Sequence, residues 1–83
     1  MARFYLHLFN SLGFVPDREG KELPGLAAAR DDAVISIRSI IAEDVKQGRV
    51  DLRGRIEIAN ATQEVLAVVP FTDAVNLRLK DGE

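Results

Sequence analysis

The chain contains no cysteine and no tryptophan, and His7 is its one histidine. No disulfide can therefore staple the fold. A zinc site built from Cys and His is excluded as well, because one histidine cannot supply its ligands. The same shortage removes most of the side chains used for nucleophilic and redox chemistry. The expectation is a protein that is not an enzyme, with no catalytic residue, no metal and no cofactor.

Long apolar runs are also missing. Nothing approaches the roughly 20 residues of a membrane span. Residues 4–9 are too short for a secretory leader, and Arg3 is the only charge ahead of them. A soluble cytoplasmic protein without membrane contact is the default. The triplet Asn60-Ala61-Thr62 fits a glycosylation acceptor but carries no weight without a secretory signal. Positive charge is scarce too: 11 Lys and Arg stand against 13 Asp and Glu, a net charge of −2. That disfavours non-specific nucleic-acid binding, which depends on neutralising phosphates.

What remains fits a small folded domain. Eighty-three residues make one domain spanning 1–83, with an ordered core over about 3–79 and a frayed end at 80–83. Such a chain buries only about 60–65% of the surface its unfolded form exposes. Its stability must come from an efficient core or from oligomerisation. The hydrophobic content of 47% against 29% charged rules out a disordered tail.

Arg3-Phe4-Tyr5-Leu6-His7-Leu8-Phe9 alternates strictly, with Phe4, Leu6 and Leu8 on one face and Tyr5, His7 and Phe9 on the other. Asn10-Ser11 and Gly13 signal a turn, and residues 13–16 read as a short return strand that Pro16 ends. Lys21-Glu22-Leu23 adds a few extended residues before Pro24. One helix then covers about 25–47. Leu26, Ala29, Ala33, Ile37, Ile40 and Ile41 share one stripe, with Val34 at its flank. Ala28, Ile35 and Ala42 lie opposite that stripe. Gly48 sits at the position of a helix-ending glycine, whereas Gly25 is a weak start. Val50 and Leu52 are anchors of the following connection.

Residues 54–59 alternate again, Ile56 and Ile58 inward. Val65-Leu66-Ala67-Val68-Val69 is a near-continuous apolar run suited to a central strand. The two segments form a hairpin, and Pro70 ends it. Residues 71–79 fit either a helical turn or a last short strand. The order is ββ-α-ββ: an α+β fold with an antiparallel sheet of three to four strands packed by one long amphipathic helix. Pairing of the first strand with the fourth is the sensible arrangement, though strand order does not follow from the pattern. The helix covers one face of the sheet. If the other is bare, Tyr5, His7, Phe9 and half of the valine strand form an exposed apolar patch, and such patches mark interaction surfaces.

Each candidate for chemistry has a plainer reading beside it. Histidine is the residue type of a general base or pH switch, but no nucleophile or orienting carboxylate adjoins His7 in sequence. A half-buried strand histidine, hydrogen-bonded across the sheet, is the preferred account. Asp17, Glu19 and Glu22 with Asp31 and Asp32 lack the spacing of a calcium loop, and Arg18 and Lys21 interrupt them. They read as a solvated charged surface. Arg49, Arg53 and Arg55 concentrate positive charge that suits a phosphate or an acidic partner. They also follow a helix C-terminus, which attracts cations without any ligand, and Asp44 is placed to pair with one. Ile35 is either a lone exposed residue or an anchor for a second copy.

Three stretches taken together resemble a known family. They are Arg3-Phe4-Tyr5-Leu6-His7-Leu8, then Asp17-Arg18-Glu19-Gly20-Lys21-Glu22-Leu23-Pro24 leading into Ala28-Ala29-Arg30, then Gly54-Arg55-Ile56-Glu57-Ile58 with Val69-Pro70-Phe71. In order and spacing they are similar to small bacterial proteins grouped as domain of unknown function 6894. The likeness runs from Arg3 to about Val75. Asn10-Ser11 replaces the family's charged residue after the first strand, and Gly25 replaces its Asp before the helix. The resemblance implies a stand-alone bacterial domain and brings no activity, cofactor or catalytic residue. The pattern is also similar, by analogy alone, to HicB-like antitoxin domains.

Two functions follow as expectations. The first is a protein-interaction or regulatory module that self-associates through the bare face bearing Tyr5, His7 and Phe9, with a second copy or another protein as partner. The second is a nucleic-acid-binding or antitoxin-like regulator using Arg49, Arg53 and Arg55.

Overall fold

A computed structural model describes residues 1–80. Of the end expected to fray, residues 81–83 lie outside the described residues. The chain forms β1 (Ala2–Asn10), β2 (Gly13–Val15), β3 (Lys21–Leu23), α1 (Leu26–Lys46), β4 (Arg55–Ala59) and β5 (Val65–Pro70), followed by a 3-10 turn at Phe71–Asp73. This is the expected α+β architecture, with five strands rather than three or four. The difference lies before the helix. β2 and β3 are both three-residue strands, and both pair antiparallel with β1, at opposite ends of its length.

The sheet runs β2-β1-β4-β5, with β3 beside β1 as well. The first strand therefore neighbours 55–59 and not the apolar run at 65–70. That run is an edge strand rather than a central one, a correction to the sequence pattern. Pro70 shows how the edge is tolerated. Phe71 N–H donates to Gly54 C=O at 2.9 Å, and the ladder pairs Arg55 with Pro70 and Ile56 with Val69. Bonded and non-bonded pairs alternate in an antiparallel ladder, so the missing N–H of Pro70 points away from β4.

The register sorts side chains as the alternation predicts. Leu6, Ile58 and Ala67 form one row facing the helix, and Leu8, Ile56 and Val69 the next. Against them α1 buries Ala29, Ala33 and Ile37. The two alanines let the helix axis approach the sheet, and Ile37 fills the space beyond them. Phe4, Leu23, Phe71 and Ala74 complete the core, with Leu26, Val34, Ile40, Ile41 and Leu52 packed at its margin. Ala28 joins that margin too, so it does not share the outer surface of Ile35, which is 62% exposed. Leu52 anchors its connection as expected, but Val50 is exposed.

The helix ends decisively and starts poorly. Arg49 N–H donates to Asp44 C=O and Gly48 N–H to Val45 C=O, with Gly48 at φ +85°, a Schellman ending. At the start, Gly25 offers no side-chain cap and the first turn holds no acidic residue. Residues 71–79 take the turn alternative: a single 3-10 turn, then irregular chain held by Arg38 Nε donating to Ala74 C=O at 2.7 Å.

Candidate interaction face

The sheet face turned away from α1 is built from the odd-numbered residues of β1. Tyr5 stands opposite Ala59, His7 opposite Glu57 and Phe9 opposite Arg55. The β1–β2 hairpin adds Phe14 directly across from Phe9, and β5 adds Val68 across from Glu57. Tyr5, His7 and Phe9 are all half-buried. Phe14 and Val68 are exposed, at 53% and 43%. Tyr5, His7 and Phe9 thus share one face as the alternation requires, but the exposed apolar residues beside them are Phe14 and Val68.

The rings on that face form a run. The Phe9 and Phe14 rings stack with centroids 4.5 Å apart, and His7 lies 6.0 Å from Phe14 and 6.4 Å from Tyr5. The Arg55 guanidinium sits 4.1 Å over the Phe9 ring, a cation–π contact, while its Nε reaches Glu57 Oε2 at 2.8 Å. The hairpin turn determines this run. Leu12 N–H and Gly13 N–H both donate to Asn10 Oδ1, and that turn sets Phe14 opposite Phe9. Phe14 had a sequence signal, since a hairpin closing at Asn10-Ser11 brings the residues on either side of it together.

His7 is held from two sides. Its Nδ1 accepts the backbone N–H of Asp17 at 3.0 Å, and its Nε2 lies 2.9 Å from Gln63 Oε1. An accepting Nδ1 leaves the proton on Nε2, which then donates to Gln63. The ring ties β1 to two loops, where the sequence pattern suggested a hydrogen bond across the sheet. Gln63 reaches it from the β4–β5 turn, at φ +66°. Pattern reasoning gave no sign of Gln63, because the contact spans 56 residues.

Asp17 repairs a gap in the sheet. β2 pairs with residues 8–10 of β1 and β3 with residues 2–4, leaving the middle of that edge bare. Asp17 Oδ2 accepts Leu6 N–H at 3.1 Å, and its Oδ1 accepts Gly20 N–H at 3.0 Å. Two of the acidic residues nearby form ion pairs, Asp32 with Lys21 at 2.9 Å and Glu22 with Arg3 at 4.0 Å. Among the described residues, no three His, Asp or Glu side chains gather as metal ligands would.

The three arginines are not brought together as one site. Arg49 pairs with Asp44 at 3.6 Å behind the helix C-terminus. Arg53 grips Asp51 through two side-chain N–H groups, each at 3.0 Å, and Ser11 Oγ donates to the same carboxylate at 2.7 Å. The Arg53 guanidinium, and then the Ser11 hydroxyl, hold the Asp51 carboxyl far below the usual carboxylate range. Asp51 in turn raises Arg53. Arg49 and Arg53 line an open cleft of about 320 Å³ with Asn10, Ile40 and Asp51, and Arg53 also borders a second one of about 230 Å³ with Arg55, which otherwise belongs to the sheet face. Each guanidinium already has a carboxylate partner, so none is an uncommitted phosphate ligand.

Comparison with known proteins agrees on one point. Residues 3–72 match a family model described as domain of unknown function DUF6894. The chain belongs to that family. No curated protein and no solved structure matches it. The DUF6894 match takes in the β1 ring positions, the Asp17 loop, the helix and the hairpin, and stops one residue after Phe71. No helix among the described residues is long and apolar enough to cross a membrane.

Proposed function

We propose that this DUF6894 chain is a non-enzymatic interaction module that self-associates through the bare face of its sheet. One observation carries the reading: the stacked Phe9–Phe14 pair on a face that no described element covers, with Phe14 53% exposed. A domain of this size gains most by covering such a patch. The partner is a second copy. Arg55 is neutralised by Glu57 and Arg3 by Glu22, so two such faces meet without net repulsion. A cytoplasmic setting fits the absence of cysteine.

Sedimentation equilibrium over a wide concentration range tests this. The expected result is concentration-dependent association that Phe14→Glu weakens by removing the ring-face contact while the circular dichroism spectrum stays unchanged. A wild-type chain that stays monomeric at the highest attainable concentration overturns it. The antitoxin-like alternative through Arg49, Arg53 and Arg55 has weaker support, since all three are paired. It predicts RNA or DNA binding that falls steeply with salt.

A further inference from the structure

The free edge of the sheet carries a second surface. β5 holds five consecutive apolar residues, yet only β4 pairs with it among the described residues. Such a run is what a strand flanked on both sides would have. Instead Val65, Leu66 and Val68 are exposed, at 52%, 43% and 43%. The opposite edge of the sheet is treated differently. There β2 and β3 are three residues each, Asp17 plugs the space between them, and Lys21 and Glu22 lie in the strand. Short, charged, interrupted strands are the usual protection of an edge. β5 has no charge between residues 65 and 69, and its one interruption there is a register shift that leaves Leu66 without a partner in β4.

We infer that β5 is an edge-pairing interface for a second copy of this chain, joined antiparallel about a two-fold axis through Val68. The hydrogen-bond alternation set by Phe71 and Gly54 leaves the N–H and C=O of Val68 pointing away from β4. About that axis Val68 meets Val68 of the second copy and exchanges both backbone bonds with it. Ala67 falls opposite Val69, and Pro70 and the register shift at Leu66 bound the paired stretch. Pro70 lacks only an N–H and can still accept at its C=O. Beyond the strand the chain turns away at both ends, into the 3-10 turn at Phe71–Asp73 and the turn that holds Gln63, and the pairing segment itself carries no charge. Self-pairing is thus matched in apolar character and in hydrogen bonding. The product is one continuous sheet with both helices on the same side and both ring faces on the other. This interface meets the ring face only at Val68, whose side chain lies on that face while its backbone N–H and C=O point along the sheet edge.

Amide hydrogen exchange, read residue by residue at low and high protein concentration, distinguishes the two. Edge pairing makes the Val68 N–H slow at high concentration and fast on dilution, in wild type and in Phe14→Glu alike. Val68→Pro removes the outward donor without touching the β4 ladder and abolishes the concentration dependence of mass in the Phe14→Glu background. Should that variant fold poorly, Val68→Lys sets two ammonium groups against each other across the axis and has the same effect. A Val68 amide that exchanges as a free edge at every concentration overturns the proposal, even if the protein associates. In that case association lost with Phe14→Glu assigns it to the ring face alone.

Discussion

The backbone N–H of Asp17 donates to Nδ1 of His7 across 3.0 Å, while the carboxylate of Asp17 takes the N–H of Leu6. One residue thus pins both a ring and a strand, and the histidine is locked in one tautomer. Nitrogen NMR shifts recorded well above the histidine titration range report that tautomer directly. The proton belongs on Nε2. A signal from the Nδ1-protonated form contradicts the arrangement. Asp17→Ala strands the Leu6 and Gly20 donors and costs roughly 1–3 kcal/mol, read from urea unfolding.

Asp51 makes stability depend on acid. Its carboxyl is held below the ordinary value of 3.8 by Arg53 and then Ser11. A group depressed in the folded state contributes stability above its unfolded pKa and loses it as pH falls toward the folded one. The expected window is therefore below about pH 4. Asp51→Asn is less stable than wild type near neutrality, and the gap closes as the solution is acidified through that window. The pair is solvent-exposed, so the gap also narrows with salt. A gap that widens on acidification contradicts the assignment.

Gly54 is a contact glycine. A Cβ there would sit 2.9 Å from Phe9 C=O and 2.9 Å from the Phe71 ring, which is itself 2% exposed. Neither the β1 backbone nor a core ring yields easily. Gly54→Ala is expected to lower stability by about 1–3 kcal/mol through overpacking. Thermal unfolding followed by circular dichroism measures it, and an unchanged midpoint counts against this packing.

Gly25 is the opposite case. It precedes the helix with an extended backbone, no cap and nothing within 4 Å of a Cβ. Gly25→Asp supplies the missing acceptor and a charge at the positive helix end. A gain of roughly 0.5–1 kcal/mol is expected in urea unfolding, from the cap, the dipole and the stiffer unfolded chain. No gain means the helix start is already satisfied by solvent.

Much of this protein was determined locally. Period-two alternation in residues 3–9 and 54–59 assigned Phe4, Leu6, Leu8, Ile56 and Ile58 to the helix side, because successive strand side chains must point to opposite faces. The same rule placed Tyr5, His7 and Phe9 together. Helical periodicity found Ala29, Ala33 and Ile37, and Gly48 marked the stop. Tertiary structure decided the rest, since pairing depends on which segments meet, and no local pattern encodes that. It set the valine-rich strand at an edge, divided the pairing of β1 between β2 and β3, and closed the gap with Asp17. It also gave His7 a partner from residue 63 and distributed the three arginines among three carboxylates, each settled by chain closure rather than by residue type.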